Sequence, residues 1–380
     1  MIFDYETLKF IWWLLVGVLL VGFAIMDGMD MGVGALLPFL GKTDSERRVI
    51  INTVGPHWDG NQVWFITAGG AVFAAWPAVY AASFSGFYFA MLLVLFALFL
   101  RPVGFDYRSK LDSPQWRSTW DWGLLVGSAV PALVFGVAFG NLLQGVPFSY
   151  DDIMRPWYTG SFFGLLNPFA LLAGVVSLSM IVLHGATFLQ LRTEKIVSDR
   201  AKQAVTLVGL VFIAAFALAG IWLALGIDGF EIVKDRPHDA LPVPVGKEVV
   251  VAAGAWLRNY SEYPITIAAP AVGFAGAILA ILFSRAGRAG WAFFCSALVQ
   301  LGVIFTAGVS MFPFVMPSST NPSHSLTLWD ASSSHLTLNV MFIAAVIFVP
   351  IIIAYTTWNF WKMWRVVTVA EIEEQSHLAY

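Results

Sequence analysis

The sequence predicts an all-α, polytopic membrane protein with nine transmembrane helices. Three observations carry that prediction. Of 380 residues, 58% are hydrophobic by type and only 12% are charged, against roughly 25% charged in an ordinary soluble domain. Apolar runs long enough to cross a bilayer as helix, about 20 residues each, occur nine times. Lys and Arg accumulate on alternate loops, as they do on the cytoplasmic side of membrane proteins.

The spans are approximately 10–38, 58–80, 83–101, 121–144, 164–189, 204–227, 263–284, 290–313 and 337–361. Setting aside the loop 228–262, one set of alternate loops holds 15 basic residues and the other 2. Nine spans satisfy this with the N-terminus outside and the C-terminus inside; eight do not. Trp12, Trp13, Trp58, Trp76, Trp120, Trp122, Trp157, Trp291, Trp358 and Trp361 fall near span ends, as interfacial aromatic belts do. Residues 1–380 read as one integral membrane domain. The loop 228–262, with four basic and six acidic residues, is too small for a domain and belongs outside; 363–380 is a cytoplasmic tail. The first apolar run lacks a basic leader and a cleavage site, so it is expected to be retained.

Span one is purely apolar only to Met26. "DGMDMGVGALLPFLG" still reads as helix to Pro38, which puts Asp27 and Asp30, three apart, on one face. The alternative is a helix exit with "DGMDMG" as a surface loop. Span two opens on "GPHWDGNQVWFITAGGAVFAAWP", with His57, Asp59, Asn61 and Gln62 at the mouth of a greasy helix. Continued as helix, Asp59, Gln62 and Ile66 share a face. A carboxylate costs roughly 2.5–3.5 kcal/mol at the centre of an inserted helix, so it persists where it lines a wet path or meets a partner. The competing reading is a helix N-terminal Asp, favoured by the dipole, beside an interfacial Trp. Arg101 ends span three and Asp121 opens span four, both on the inner side. They could pair across the mouth, although a snorkelling Arg and an N-cap Asp that never meet is the commoner outcome.

Small-residue spacings, Gly136…Gly140 and Ala269…Gly273, allow close helix packing. Pro131, Asn167–Pro168 and "FPFVMPSS" (312–319) interrupt helices, after which "LTLWDASSSHLTLN" (326–339) runs along the outer surface. Cys295 is the single cysteine, so no disulfide framework exists. Of six histidines, His238, His324, His335 and His377 fall in loops or the tail. His57 and His184 lie near cytoplasmic span ends without a facing His, and His184 reads as packing. Phosphate-loop, dinucleotide and zinc-protease motifs are absent. No metal on this chain's own ligands and no nucleic-acid partner are expected.

"FIWWLLVGVLLVGFAIMDGMDMGVG", "GPHWDGNQVWFITAGGAVFAAWP", "RPVGFDYRSK", "WDWGLLVGS", "GNLLQGVPF", "FPFVMPSS" and "SLTLWDASSS" resemble subunit II of the bacterial cytochrome bd ubiquinol oxidases over nearly the whole chain, departing mainly in 228–262 and the tail. The resemblance implies two four-helix bundles plus one extra helix, in a heterodimer with a homologous subunit I in the bacterial cytoplasmic membrane. It implies two b-type haems and one d-type haem in subunit I, ubiquinol as electron donor, and oxygen reduced to water with protons drawn from the cytoplasm. No catalytic residue falls on this chain. Asp59 with Trp58 matches the family's "HWDGNQVW" and implies a proton route; Asp30, Arg101 and Asp121 match positions associated with the subunit interface and haem environment. A structural quinone or lipid and small accessory transmembrane subunits stay open. Two other readings stand beside it: a proton-coupled transporter, which predicts matching discontinuities in inverted halves, and a purely structural anchor subunit.

Overall fold

The computed structural model describes residues 2–374. Its first helix, α1 (Tyr5–Leu40), is unbroken for 36 residues, capped by Asp4, whose carboxylate accepts from the Thr7 amide at 2.8 Å. At 1.5 Å per residue it is about 54 Å long, well beyond the hydrocarbon core. "DGMDMG" is therefore helix and not a surface loop. Three short pieces follow: α2 (Asp44–Val54), closed by a Thr43/Glu46 capping box, α3 (Trp58–Asn61) and α4 (Val63–Ala75). Next come α5 (Pro77–Gly86), α6 (Tyr88–Tyr107) and α7 (Pro114–Gln144).

The second predicted span differs from a straight helix. It breaks at Gln62 and again at Trp76, where α3–α4 and α5 form a pair bent by 118°. The residue before a proline is disfavoured in the α region, and Trp76 adopts φ −132°, ψ 69° while Pro77 starts a new helix. Counting that pair as one span, nine segments among the described residues are long and apolar enough to cross a membrane; eight are single helices.

The second half contains α8 (Pro168–Arg192), α9 (Lys195–Gly226), α10 (Arg258–Glu262), α11 (Ala268–Arg285), α12 (Ala289–Met311), α13 (His335–Met363) and α14 (Val369–Glu374). Asn167–Pro168 is a helix start, with the Asn167 side chain accepting from the Ala170 amide. Three antiparallel hairpins join the helices: β1 (Phe148–Tyr150) with β2 (Pro156–Tyr158), β3 (Gly229–Lys234) with β4 (Glu248–Ala252), and β5 (Phe314–Met316) with β6 (Leu326–Thr327).

Helices α1, α4, α6 and α7 pack together, and α8, α9, α11 and α12 form a second group. The seam is α8 against α1 and α7, while α13 lies outside against α1 and α4. This is the arrangement of two four-helix bundles plus one helix. Missing side chains let the seam close. A Cβ on Gly136 would sit 2.3 Å from the Ala173 carbonyl oxygen, and one on Gly32 2.3 Å from that of Ile181, so neither position accepts even alanine without backbone movement.

Loop 228–262 is not bare: it holds the β3–β4 hairpin, and its Trp256 is buried, donating from Nε1 to the Leu143 carbonyl at 2.8 Å. At the other end, Arg192 donates to the carbonyls of Arg365 (2.7 Å) and Met363 (3.0 Å), tying the start of the tail to α8. Residues 375–380 of that tail, with His377, lie outside the described residues.

Candidate functional site

The helix lengths bring three of the five candidate residues, Asp30, Trp58 and Arg101, into one buried column at the Leu40 end of the first bundle. Because α1 stays helical through 27–30, Asp27 and Asp30 point inward and are buried. Arg101, in the last two turns of α6, is also buried and meets Asp27 with two hydrogen bonds of 2.5 and 3.0 Å. That geometry is the planar fork-on-carboxylate match available to Arg. Arg101 also lies over the Trp58 ring, 5.7 Å from its centroid, and Trp58 stacks on Phe105 at 5.0 Å.

One turn, α3, then splits its side chains between two environments. Trp58 and Asn61 are buried, while Asp59 and Gly60 are exposed. Asn61 Nδ2 donates to Asp30 Oδ2 at 2.7 Å and lies 3.1 Å from His57 Nδ1. His57 Nε2 is 3.1 Å from the Thr53 carbonyl, and its ring packs on Phe360 at 4.6 Å. Asp59 sits on a surface continued by Val63, Ile66 and Phe73, of which Ile66 is 70% exposed.

Asp121 is separate. It does not meet Arg101; it accepts from Arg108 at 2.6 Å and Arg47 at 2.6 Å, and Arg108 reaches Asp44 at 2.9 Å. The Arg101–Asp121 contact that their span ends allowed is thus absent, because each carboxylate-guanidinium pair is chosen by which helices touch. His184 is buried in the second bundle, with Nδ1 2.7 Å from Ser296 Oγ, Nε2 3.0 Å from the Ile25 carbonyl, and its ring stacked 4.7 Å from Phe293. Among the described residues, no group of three or more His, Cys, Asp or Glu comes together to hold a metal ion.

Sequence reasoning placed His57 and Asn61 in the polar mouth without a role for either, left Arg47 and Arg108 out of the site, and gave Asp27 no partner. The four-residue spacing of His57 and Asn61 was the available signal. The partner of Asp27 had none, since 74 residues separate it from Arg101.

The chain matches the family described as cytochrome bd terminal oxidase subunit II over residues 8–363. It is 59% identical to the cytochrome bd-I ubiquinol oxidase subunit 2 of Escherichia coli K12, over 99% of this chain and 100% of that one. With the cytochrome bd ubiquinol oxidase subunit 2 of Bacillus subtilis it shares 34% identity, over 93% and 95% of the two chains. A solved bd oxidase from Geobacillus thermodenitrificans has the same fold, with TM-score 0.69 at 14% identity over 93% of this chain and 97% of that one. The match across nearly the full length places this chain in the cytochrome bd terminal oxidase subunit II family.

Proposed function

We propose that this chain lets protons into a quinol oxidase from the cytoplasm and braces the partner that carries the haems. Family membership makes it a subunit of a terminal oxidase and an integral membrane protein of bacteria. The finer reading is that its partner, subunit I, holds two b-type haems and one d-type haem, oxidises ubiquinol and reduces oxygen. The N-terminus is outside and the C-terminus inside, supported by the 15-to-2 loop asymmetry in basic residues.

The observation that carries the proton reading is α3. Within one turn, an exposed carboxylate, Asp59, adjoins Asn61, which hydrogen-bonds the buried carboxylate Asp30. A bare carboxylate on an otherwise apolar membrane face is expensive. Covered by a polar surface of subunit I it becomes the wall of a wet inlet, with Trp58 as the gatepost between mouth and interior. Arg101 and Asp121, through the ion pairs they hold, and Asp30, through its hydrogen bond from Asn61, then support the interface and haem environment.

An axial haem ligand needs a free donor atom. Among the described residues the two buried histidines, His57 and His184, face a neighbour with each ring nitrogen, so they do not fit that role, and no step through haem is derived for this chain. In the assembled, haem-replete complex, Asp59→Asn should slow oxidase turnover; unchanged turnover across pH would remove the inlet. A purely structural subunit is favoured by the Arg47–Asp121–Arg108–Asp44 ion-pair cluster. Loss of haem in Asp121→Asn means support, and loss of turnover with haem retained means proton delivery.

A further inference from the structure

Asp30 Oδ1 is buried and accepts no hydrogen bond among the described residues. It faces His57 Nδ1 at 3.6 Å. The Thr53 carbonyl can only accept, so the Nε2 that touches it carries hydrogen. A neutral ring then turns the lone pair of Nδ1 inward. Asn61 uses its two amide hydrogens on Asp30 Oδ2 and His57 Nδ1 and holds the two groups in register. What remains unpaired is Asp30 Oδ1, in a place closed to solvent and facing a ring nitrogen whose lone pair Asn61 already engages. An unsatisfied buried carboxylate oxygen is costly, and one proton, held on Oδ1 or on the facing Nδ1, would supply its missing donor.

We propose that Asp30, Asn61 and His57 form an enclosed proton-holding station, in which one proton is shared between Asp30 Oδ1 and His57 Nδ1. On transfer the Oδ1–H bond breaks and its electron pair stays on the carboxylate. A new N–H bond forms at Nδ1 with the lone pair that had accepted from Asn61, whose second amide hydrogen is released, and the imidazolium keeps its Nε2 hydrogen on the Thr53 carbonyl. Closing 3.6 Å to hydrogen-bond range needs a shift of under about 1 Å. The groups around His57 set the balance. Asp30 of α1 attracts the imidazolium and Arg192 of α8 repels it, while Phe188 of α8 and Phe360 of α13 offer only uncharged aromatic rings. The charge of Asp27 is matched by Arg101. His57 is thus a relay residue set behind the exposed mouth.

The station rests on the reading of this chain as part of a proton route, and it is tested apart from Asp59. Infrared spectra of the intact oxidase, with isotope-labelled Asp and His, should show at neutral pH either a protonated carboxyl that vanishes in Asp30→Asn or an imidazolium that vanishes in His57→Gln. Asp30→Asn and His57→Gln should each slow turnover roughly tenfold or more with haem content unchanged, and the double variant should be no slower than either. An ionised Asp30 beside a neutral His57, or both groups protonated together, overturns the station. So does full turnover in His57→Gln. If the variants do not assemble, the labelled wild-type spectrum decides alone. Full turnover in Asp59→Asn with the proton present removes the surface inlet and leaves the station standing.

Discussion

Asp27 of α1 and Arg101 of α6 form a two-pronged ion pair at 2.5 and 3.0 Å, both side chains essentially inaccessible to solvent. Burying two charges is costly, and their mutual attraction offsets that cost only while both are present. Removing either leaves the other charge stranded, so Arg101→Ala or Asp27→Ala should destabilise the first bundle by about 3–5 kcal/mol. Arg101→Lys should not restore stability, since an ammonium cannot make the fork. Thermal unfolding of the purified complex, followed with the three variants, checks both statements. An Arg101→Lys protein as stable as the original would show that charge alone suffices.

The seam between bundles gives a steric prediction. Gly185→Val places a side chain where even a Cβ would sit 2.3 Å from the Gly32 carbonyl carbon. Overpacking of this kind costs typically 1–3 kcal/mol, and here both neighbours are backbone. The expected result is a lowered melting temperature, with Gly185→Ala intermediate. A Gly60→Ala control, at a position with open space around it, should leave folding unchanged.

Lys9 is buried, and its ammonium donates to the carbonyls of His238 (2.7 Å), Ala240 (3.2 Å) and Trp329 (2.7 Å). It clips the tip of the 228–262 loop onto α1. Lys9→Met keeps the apolar stem and deletes three donors, leaving carbonyls short of partners at about 1–3 kcal/mol each where they stay buried. Limited proteolysis should then cut between Arg236 and Lys247 faster than in the unmodified protein. Equal cutting rates would mean that the β3–β4 hairpin and the Lys247–Asp330 ion pair (2.7 Å) hold the loop by themselves.

His324 gives the β1–β2 end of the protein a pH dependence. Its Nδ1 accepts from the Tyr150 amide at 3.0 Å, which requires an unprotonated nitrogen. Burial first, then the nearby Lys247 charge, hold its pKa below the ordinary 6.5. A folded-state value depressed in this way means the unfolded chain binds the extra proton more readily. The stabilisation is therefore present above about 6.5 and is lost as pH falls from there through the lower folded-state value. Hydrogen exchange of the Tyr150 amide, corrected for its intrinsic pH dependence, should accelerate over that interval, and His324→Phe should abolish the change.

Much of this architecture was legible in the residues. Span count followed from hydropathy and loop charge because both are local properties, summed over about 20 residues or read one loop at a time. The α1 helix through Asp27 and Asp30 was visible from the apolar pattern resuming at Met31. The bend at Trp76 was hidden, although Pro77 marked the position, because a proline can kink, restart or merely begin a helix. Asp59 was singled out for its surroundings in sequence, yet chain order could not reveal that it points outward while Asn61, two residues later, points in.

The sequence by itself determined the class, the apolar segments and the family, since each depends on composition or on motifs of contiguous residues. Only the tertiary structure decided that Arg101 holds Asp27 and not Asp121, that Asp121 belongs to Arg47 and Arg108, and that His57 faces Asp30. Ion pairs and hydrogen bonds act over about 3 Å, and which side chains come that close is fixed by how helices cross and where glycines let them touch.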